Sequence, residues 1–328
     1  MHSYLEPDGD APQSLRDLEP SQEAVRREIL HGLLEHPKRI APKFFYDETG
    51  CKLFDEICQL NEYYPTRTET GILEGNIQEI CAALGPECRV VEFGSGSGVK
   101  TRILLDHLFS PAAYVPVEIA RAYLLQCAAR LARSYPELRV LPVCADYTTD
   151  FVLPEPPVPA RRTVAFFPGS TIGNLEPAEA ERFLRRIAAM CGEGGGLLIG
   201  VDLKKDRDTL ERAYNDSRGV TAAFNLNVLA RINRTFNARI PRKTFRHHAF
   251  YNEGPGRIEM HLVSRVAQTV QLNGANITFE RGEPIVTEHS YKYTLDGFAE
   301  LAARSGWVVQ KHWVDAHQWF SVQYLVTR

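Results

Sequence analysis

The sequence predicts an α/β fold in which a doubly wound, mostly parallel sheet carries an additional, smaller α+β part. Three observations support this prediction. The stretch Arg89–Arg102 is an apolar run that ends in three alternating glycines and continues as a helix-like pattern. Strand-like and helix-like segments then alternate as far as Asp202. The alternation stops between Lys204 and Tyr293, and it returns near the C-terminus.

The glycine-rich turn predicts a ligand crevice at the end of the first sheet strand. Gly94, Gly96 and Gly98 have no Cβ atom, so the backbone can approach a ligand closely and positive φ angles cost little. The helix that opens near Gly98 would direct its free N–H groups into the same crevice. A tight strand-to-helix turn without any ligand is the alternative interpretation of this pattern.

The segments that follow predict how the crevice is completed. Predicted helices cover residues 101–108, 121–134 and 177–190, and predicted strands cover 113–117, 139–143, 163–167 and 195–201. The turns after these strands contain Glu118, Asp146–Tyr147, Pro168–Asn174 and Asp202. Because ligands bind outside the carboxyl ends of parallel strands, we expect these turns to converge.

The remaining segments precede or interrupt the sheet. Residues 1–21 are polar and contain three prolines, so we expect them to be loosely ordered. Helices are predicted at 22–34, around 53–60 and at 71–84, with a break at Pro65. Between Lys204 and Tyr293, the residue pattern predicts a long helix at 209–231, an irregular basic segment at 239–248, and strands at 257–264, 266–272 and 275–279. A helix at 294–305 and strands at 307–314 and 319–326 should return to the main sheet.

Composition limits the classes of function and the cellular setting. A net charge of -3, with basic residues scattered along the chain, gives no reason to expect a nucleic-acid partner. Seven cysteines without a CxxC pair favour reduced thiols over a disulfide framework or a zinc site. The N-terminus lacks the features of a secretory signal, and no apolar stretch reaches the roughly 18 residues of a membrane span. We therefore expect a cytoplasmic protein without a membrane partner.

The strand ends favour S-adenosyl-L-methionine over a dinucleotide as the cofactor. Dinucleotide turns have the spacing Gly-x-Gly-x-x-Gly, whereas the third glycine here comes one residue early. S-adenosylmethionine carries no phosphate and needs an acid for its ribose hydroxyls and a polar residue for adenine. Glu118 suits the ribose, and Asp146 with Tyr147 suits the adenine. The alternatives are a solvated strand-end carboxylate for Glu118 and a helix N-cap for Asp146.

Nine short segments, taken in order, carry a resemblance to a known family. They are Lys43–Asp47, Glu62–Glu69, Glu92–Gly96, Lys100–Arg102, Gly169–Asn174, Ala213–Tyr214, Gly219–Asn225, Arg257–Met260 and Thr287–Ser290. From about Val25 to its C-terminus, the chain resembles the histidine-specific Nα-methyltransferases of ergothioneine biosynthesis. The resemblance implies a Rossmann-like class I methyltransferase fold with an inserted α+β substrate-binding subdomain, S-adenosyl-L-methionine as cofactor and no metal. It also implies methylation of L-histidine to N,N,N-trimethylhistidine, which is hercynine.

The resemblance implies a division of the chain and a set of site residues. The substrate-binding subdomain would comprise 22–68 and 204–293, and the cofactor-binding domain 69–203 and 294–328. The cofactor would be held by Gly94, Ser95, Gly96, Lys100, Glu118, Asp146 and Tyr147, with Lys100 at its methionyl carboxylate. Histidine would be held by Tyr63 and Tyr214 at the carboxylate, Gly169 and Asn174 near the amine, Glu288 and Ser290 at the imidazole, and Tyr46 and Met260 as pocket wall.

Tyr46, Asn174 and Tyr214 are the candidate catalytic residues among these. One departure from the family pattern is His289, which lies where an apolar residue is expected. Because side chains alternate along a strand, we expect His289 to point away from the pocket. Two other interpretations stay open, namely methylation of a different amino acid or of the imidazole ring, and a catalytically silent scaffold. We further expect a monomer with a small-molecule substrate.

Overall fold

The computed structural model of the chain describes residues 15–96, 98–156 and 158–328. Its strands are β1 (Arg16–Asp17), β2 (Lys38–Arg39), β3 (Cys88–Phe93), β4 (Ala113–Glu118), β5 (Val143–Cys144), β6 (Arg162–Phe167), β7 (Gly196–Asp202), β8 (Phe245–Asn252), β9 (Arg257–Ser264), β10 (Gln268–Leu272), β11 (Ala275–Phe279), β12 (Pro284–Tyr291), β13 (Trp307–Val314) and β14 (Phe320–Thr327). Its helices are α1 (Gln22–Leu34), α2 (Glu48–Ile57), α3 (Tyr64–Leu84), α4 (Val99–Leu105), α5 (Arg121–Ser134), α6 (Pro177–Cys191), α7 (Arg207–Tyr214), α8 (Val220–Phe236) and α9 (Leu295–Arg304).

An eight-stranded sheet in the order β1-β5-β4-β3-β6-β7-β14-β13 forms the main layer. The first six strands in this order, β1, β5, β4, β3, β6 and β7, pair in parallel. Strand β14 runs antiparallel to both of its neighbours, β7 and β13. The chain moves outward from β3 through β4 to β5, and then continues on the other side of β3 with β6 and β7. This reversal between β3 and β6 is the switch point at which a doubly wound sheet forms its ligand crevice. The predicted Rossmann-like sheet is confirmed.

Helices cover both faces of this sheet. Successive strand residues point to opposite sides, and the apolar side chains on each side are buried against helices. Val90 of β3 is buried against the layer formed by α3, α4 and α5. Its neighbour Val91 is buried against α6 and α9 on the other face. A strand that is covered on both faces is mostly apolar, which explains Val90, Val91 and Phe93. The exception is Glu92, a buried carboxylate that accepts hydrogen bonds from Thr101 and Tyr114.

A second, four-stranded sheet has the order β2-β12-β9-β8 and packs against α8. Strands β12, β9 and β8 are antiparallel, and β10 and β11 form a separate hairpin. The core of this part includes Phe44, Phe45, Phe224 and Ile258. All strands of the four-stranded sheet and of the β10–β11 hairpin lie within residues 22–68 and 204–293. That this part binds the substrate and the rest of the chain binds the cofactor stays a prediction.

The structure differs from expectation in several elements near the N-terminus and in the sheet. Of the segment expected to be loosely ordered, residues 1–14 lie outside the described residues, and Arg16–Asp17 pairs with β5 as a sheet strand. Helix α3 begins at Tyr64 rather than at Gly71, because Pro65 lies in its first turn, where a missing N–H breaks no helical bond. The predicted strand 139–143 is reduced to Val143–Cys144.

Two further differences lie in the inserted part. The long helix predicted at 209–231 is divided into α7 and α8, because Gly219 has a φ of 71° and Asp216 accepts hydrogen bonds from the N–H groups of Val220 and Thr221. The basic segment predicted to be irregular includes the first half of β8. Arg246 and His248 can be basic because their side chains are exposed, while the backbone of β8 pairs with β9.

Candidate active site

The glycine turn after β3 forms an open cradle. The φ angles of Gly94, Gly96 and Gly98 are 74°, 47° and 76°, a range in which glycine is favoured. A Cβ atom added at Gly94 would meet only the ring of Tyr147, 3.9 Å away. The hydroxyl of Ser95 is buried and has no hydrogen-bond partner among the described residues. A buried polar atom without a partner is costly, so the turn fits a ligand that supplies one.

Glu118 ends β4 beside this cradle. Its Oε1 atom accepts hydrogen bonds from the N–H groups of Ile119 at 2.8 Å and Ala120 at 3.3 Å, which fixes the orientation of the carboxylate. Burial raises the pKa of Glu118, and these backbone hydrogen bonds limit the rise. A fixed carboxylate at a strand end is suited to accept hydrogen bonds from neighbouring hydroxyls.

Asp146 and Tyr147 follow β5 on the same edge of the sheet. Burial opposes ionisation of Asp146, but hydrogen bonds from Lys43 at 2.7 Å and from Thr148 outweigh it and lower its pKa. Asp146 therefore caps a turn and not a helix. The ring of Tyr147 packs edge-on against Phe93 and Phe167. The predicted cofactor residues thus lie on adjacent strand ends, and their roles stay predictions.

Lys100 lies in the first turn of α4 and forms an ion pair with Glu69 of α3. Glu69 is 1% exposed and also accepts hydrogen bonds from the backbone N–H of Gly169, at 3.0 and 2.8 Å. The prediction missed Glu69 as a site residue. Its spacing from Pro65, Ile72 and Leu73 places it on the apolar face of α3, and a carboxylate on such a face is a signal that the sequence contains.

A pocket between the two sheets brings together seven of the eight predicted substrate residues and the candidate catalytic residues. It is lined by Tyr46, Phe54, Tyr63, Pro65, Gly169, Ser170, Thr171, Asn174, Asp202, Tyr214, Glu288, Ser290 and Lys292. The exception is Met260, which was expected in the pocket wall. Met260 pairs with Glu288 across β9 and β12, but its side chain is 2% exposed and is buried in the hydrophobic core of this part without lining the pocket.

Glu288 lies in the pocket as an unpaired carboxylate. It is 8% exposed, and no hydrogen bond from the described residues stabilises its charge. Burial raises the pKa of Glu288 to about 7, while the positive charge of Lys292 acts in the opposite direction. A mostly buried acceptor of this kind is costly to leave unpaired, so the pocket fits a ligand that donates a hydrogen bond to it.

Ser290, Tyr214 and Lys292 form a hydrogen-bonded triangle next to Glu288. The hydroxyl of Tyr214 donates to Ser290 Oγ at 2.9 Å, and Lys292 Nζ donates to Ser290 at 2.8 Å and to Tyr214 at 3.2 Å. A contact between the Tyr214 hydroxyl and a substrate carboxylate, as predicted, would require this hydroxyl to turn from Ser290.

Asp202 is the counterion below this triangle. Its carboxylate lies 2.8 Å from Lys292 Nζ and 2.6 Å from Lys205 Nζ, and it accepts hydrogen bonds from Tyr64 at 2.8 Å. Burial opposes its ionisation, but the two lysines lower its pKa, so the group is charged. Lys292 and Lys205 were not predicted. Lys292 follows Glu288 and Ser290 at the two-residue spacing of one strand face, which is the signal that could have identified it.

His289 points away from the pocket, toward the main sheet. Its Nδ1 atom lies 2.5 Å from Oε1 of Glu176, the N-cap residue of α6. Glu176 also accepts hydrogen bonds from Tyr291 at 2.6 Å and from Arg39 at 3.1 Å. One face of β12 therefore lines the pocket, and the other face attaches the second sheet to α6.

The pH dependence of stability should report the burial of Glu288. Its pKa of about 7 in the folded protein exceeds the usual 4.5, so the folded state binds the proton more tightly than the unfolded state. This contribution to stability is complete below pH 4.5 and is lost as the pH rises to 7. Relative to Glu288→Gln, the wild-type free energy of unfolding should fall by about 2–3 kcal/mol between pH 5 and pH 8.

Urea unfolding at each pH measures this difference. The exposed Glu253 provides the control, because Glu253→Gln removes a carboxylate that is not buried in the pocket. A difference between wild type and Glu288→Gln that stays constant from pH 5 to pH 8 would contradict the raised pKa.

Comparison with known proteins decides the family. Residues 25–327 match the model of the S-adenosylmethionine-dependent, histidine-specific methyltransferases. The chain belongs to this family. The family confirms the predicted methyltransferase class and S-adenosyl-L-methionine as its cofactor. In the described ranges, no group of three or more metal-binding side chains is close enough to hold an ion, and no helix is long and apolar enough to cross a membrane.

Individual relatives cover nearly the whole chain. The histidine N-alpha-methyltransferase of Mycolicibacterium smegmatis is 42% identical over 296 residues, covering 89% of this chain and 91% of that protein. The histidine N-alpha-methyltransferase of Mycobacterium tuberculosis is 42% identical over 286 residues, covering 85% and 88%. The L-tryptophan methyltransferase trpM of Psilocybe serbica is 25% identical over 337 residues, covering 91% and 93%.

Proposed function

We propose that the protein transfers methyl groups from S-adenosyl-L-methionine to the α-amino group of L-histidine, in three successive steps that give N,N,N-trimethylhistidine, the hercynine of ergothioneine biosynthesis. The observation that carries this proposal is the pairing of Glu288, a buried carboxylate without a donor, with the hydroxyl of Ser290 in the same pocket. An imidazole offers one N–H group and one acceptor nitrogen, which match these two side chains. The two mycobacterial relatives named above support the choice of the amine.

The cofactor fits the edge of the main sheet on which the pocket opens. When bound, it supplies a methyl group on a sulfonium, which an amine attacks in line. The cradle of Gly94, Ser95 and Gly96 would accept its methionyl part, with the Ser95 hydroxyl gaining the partner that it lacks. Lys100, held by Glu69, would meet the carboxylate. Glu118 would accept from the ribose, and Asp146 with Tyr147 would bind the adenine.

The pocket residues position the substrate amine. Glu288 would accept the imidazole N–H and thereby reject amino acids that cannot donate, because the carboxylate would then stay buried and unpaired. Tyr63 would hold the carboxylate, and Asn174 with Gly169 would lie near the amine. Holding the amine at attack distance supplies most of what this chemistry needs from a protein.

Tyr46 would close the wall beside the amine as a neutral hydroxyl. Burial raises the pKa of Tyr46 well above its usual value, and the charges of Glu288 and Glu118 add to the rise. Tyr46 therefore keeps its proton and does not act as a phenolate base. The amine would lose its proton to water before it attacks, and the aromatic faces of the pocket would then favour the methylated cation.

Mass analysis of products tests the proposal. We expect the purified protein, incubated with S-adenosylmethionine and each of the twenty amino acids, to modify histidine alone and to add three methyl groups to its amine. Glu288→Gln should lower kcat/KM for histidine, because a buried charged acceptor is lost. The expected decrease corresponds to a loss of about 2–5 kcal/mol of transition-state stabilisation. A ring-methylated product, a product from a different amino acid, or no product would reject the proposed reaction.

A cytoplasmic location is also proposed. All seven cysteines are free thiols, which is typical of a reducing compartment. The monomeric state and the lack of nucleic-acid and membrane partners stay predictions.

A further inference from the structure

Lys292 is a buried cation in the substrate pocket whose three hydrogen-bond donors are all in use. Its side chain is 1% exposed. The ammonium group contacts Ser290 Oγ at 2.8 Å, Asp202 Oδ2 at 2.8 Å and the Tyr214 hydroxyl at 3.2 Å. An ammonium group has three donors and no acceptor. Lys292 therefore has no N–H group left for a substrate carboxylate, although it is the cation that borders the pocket next to Glu288.

The donors of Lys292 determine how Ser290 can use its hydroxyl. Ser290 Oγ receives one hydrogen bond from Lys292 and a second one from Tyr214, at 2.9 Å. A serine oxygen accepts about two hydrogen bonds, so its acceptor capacity is filled. With Tyr214 as the donor, the remaining group of Ser290 is its own hydrogen, which is left to donate into the pocket that Ser290 lines. Asp202 keeps Lys292 charged and in place, since this buried carboxylate pairs with it directly.

We propose that Lys292 is a positioning residue that makes Ser290 an obligatory hydrogen-bond donor toward the substrate. Glu288 and Ser290 lie on the same face of β12, two residues apart, so the pocket presents one fixed acceptor and one fixed donor. A neutral imidazole has this pattern in reverse, with one N–H and one bare nitrogen. Lys292 thus selects a ring with an acceptor nitrogen, while Glu288 selects the N–H. This inference rests on the proposed function and adds a residue that touches no substrate atom.

The test compares ring analogues that differ in a single acceptor atom. Two of the ring isomers of β-thiazolylalanine, linked through the ring carbon next to nitrogen alone or next to sulfur alone, carry an acceptor nitrogen at one or the other imidazole nitrogen position. The matching β-thienylalanines replace that nitrogen with CH. All four compounds lack the N–H group, so none of them donates a hydrogen bond to Glu288. This loss of affinity is therefore the same for each thiazolyl compound and its thienyl partner. Dissociation constants are measured by calorimetry with the protein saturated with S-adenosylhomocysteine. For the wild type, we expect one thiazolyl isomer to bind about tenfold more tightly than its thienyl partner.

Lys292→Met should bring this ratio close to one, because Ser290 can then turn its hydrogen to Tyr214. Lys205→Met is the matched control. Lys205 is also buried and pairs with Asp202 at 2.6 Å, but no hydrogen bond joins it to Ser290 among the described residues, so the ratio should stay near tenfold. If Lys292→Met unfolds, Lys292→Met/Asp202→Asn replaces it, since the amide oxygen of Asn can still accept from Lys205.

The outcomes separate this inference from the proposed function. A ratio near one in the wild type, or a tenfold ratio that survives Lys292→Met, would overturn the role of Lys292 even if histidine is methylated. A merely structural role would weaken both analogues equally and leave the ratio unchanged, which also counts against the inference. Failure of the wild type to methylate histidine would instead reject the proposed function.

Discussion

Replacing Asp202 with alanine is expected to lower the free energy of unfolding by about 3–5 kcal/mol, the cost of breaking a buried ion pair by removing one partner. Asp202 is 1% exposed, and its carboxylate lies within 2.8 Å of both Lys292 and Lys205. Without it, two buried ammonium groups face each other with no counterion. Tyr64 also loses the acceptor of its hydroxyl. Urea unfolding at neutral pH measures the loss.

A double-variant comparison assigns this loss to the ion pair. In a Lys292→Met background, Asp202→Ala should cost clearly less, because only Lys205 is then left unpaired. Removal of the exposed carboxylate of Glu253 should change stability by no more than about 0.5 kcal/mol. A loss below about 1 kcal/mol for Asp202→Ala would show that the pair does not hold the pocket floor together.

The second large effect is expected at Gly200 of β7, which makes room for Glu69. A Cβ atom at this position would lie 2.0 Å from Glu69 Oε1 and 2.8 Å from its carboxyl carbon. Gly200→Ala must therefore displace the carboxylate from Lys100 and from the N–H of Gly169. We expect a stability loss of about 1–3 kcal/mol from overpacking and a decrease of about 10- to 100-fold in kcat/KM for S-adenosylmethionine.

The effect of Gly200→Ala should depend on Glu69. In a Glu69→Ala background, the added methyl group meets no carboxylate and only the Phe320 ring remains close, at 3.0 Å, so the further cost should be clearly smaller than in the wild type. Gly71→Ala, on the same helix as Glu69, has no atom within 4 Å of the new Cβ and should leave activity unchanged. Equal costs of Gly200→Ala in both backgrounds would refute the proposed steric conflict.

Several elements of both parts of the chain were predicted with the right bounds because their signals are local. Strand β9, strand β13 and helix α5 have the predicted bounds, since each is an apolar pattern with clear ends. The break between α7 and α8 was not predicted. There the helical spacing of apolar residues continues across Asp216 and Gly219, and only the capping contacts reveal the end of one helix.

The site was predicted less completely because its charged groups depend on distant partners. The pocket residues followed from a family resemblance, and the structure brings together all of them except Met260. Glu69 binds Lys100 and Gly169, which lie 31 and 100 residues away in the sequence. Lys292 contacts Tyr214 across 78 residues. Periodicity indicates which face of an element is buried, but it does not indicate which buried charge meets which.

Strand β12 separates two tasks by the parity of its residue numbers. Glu288 and Ser290 face the pocket, whereas His289 and Tyr291 bind Glu176 on the opposite side. Substitutions at the even positions can therefore change which side chain the pocket accepts without loosening the attachment of the sheet. The preference of the pocket for an amino acid and the attachment of the sheet can therefore evolve independently. The two sets of residues share a backbone, but no side chain belongs to both sets.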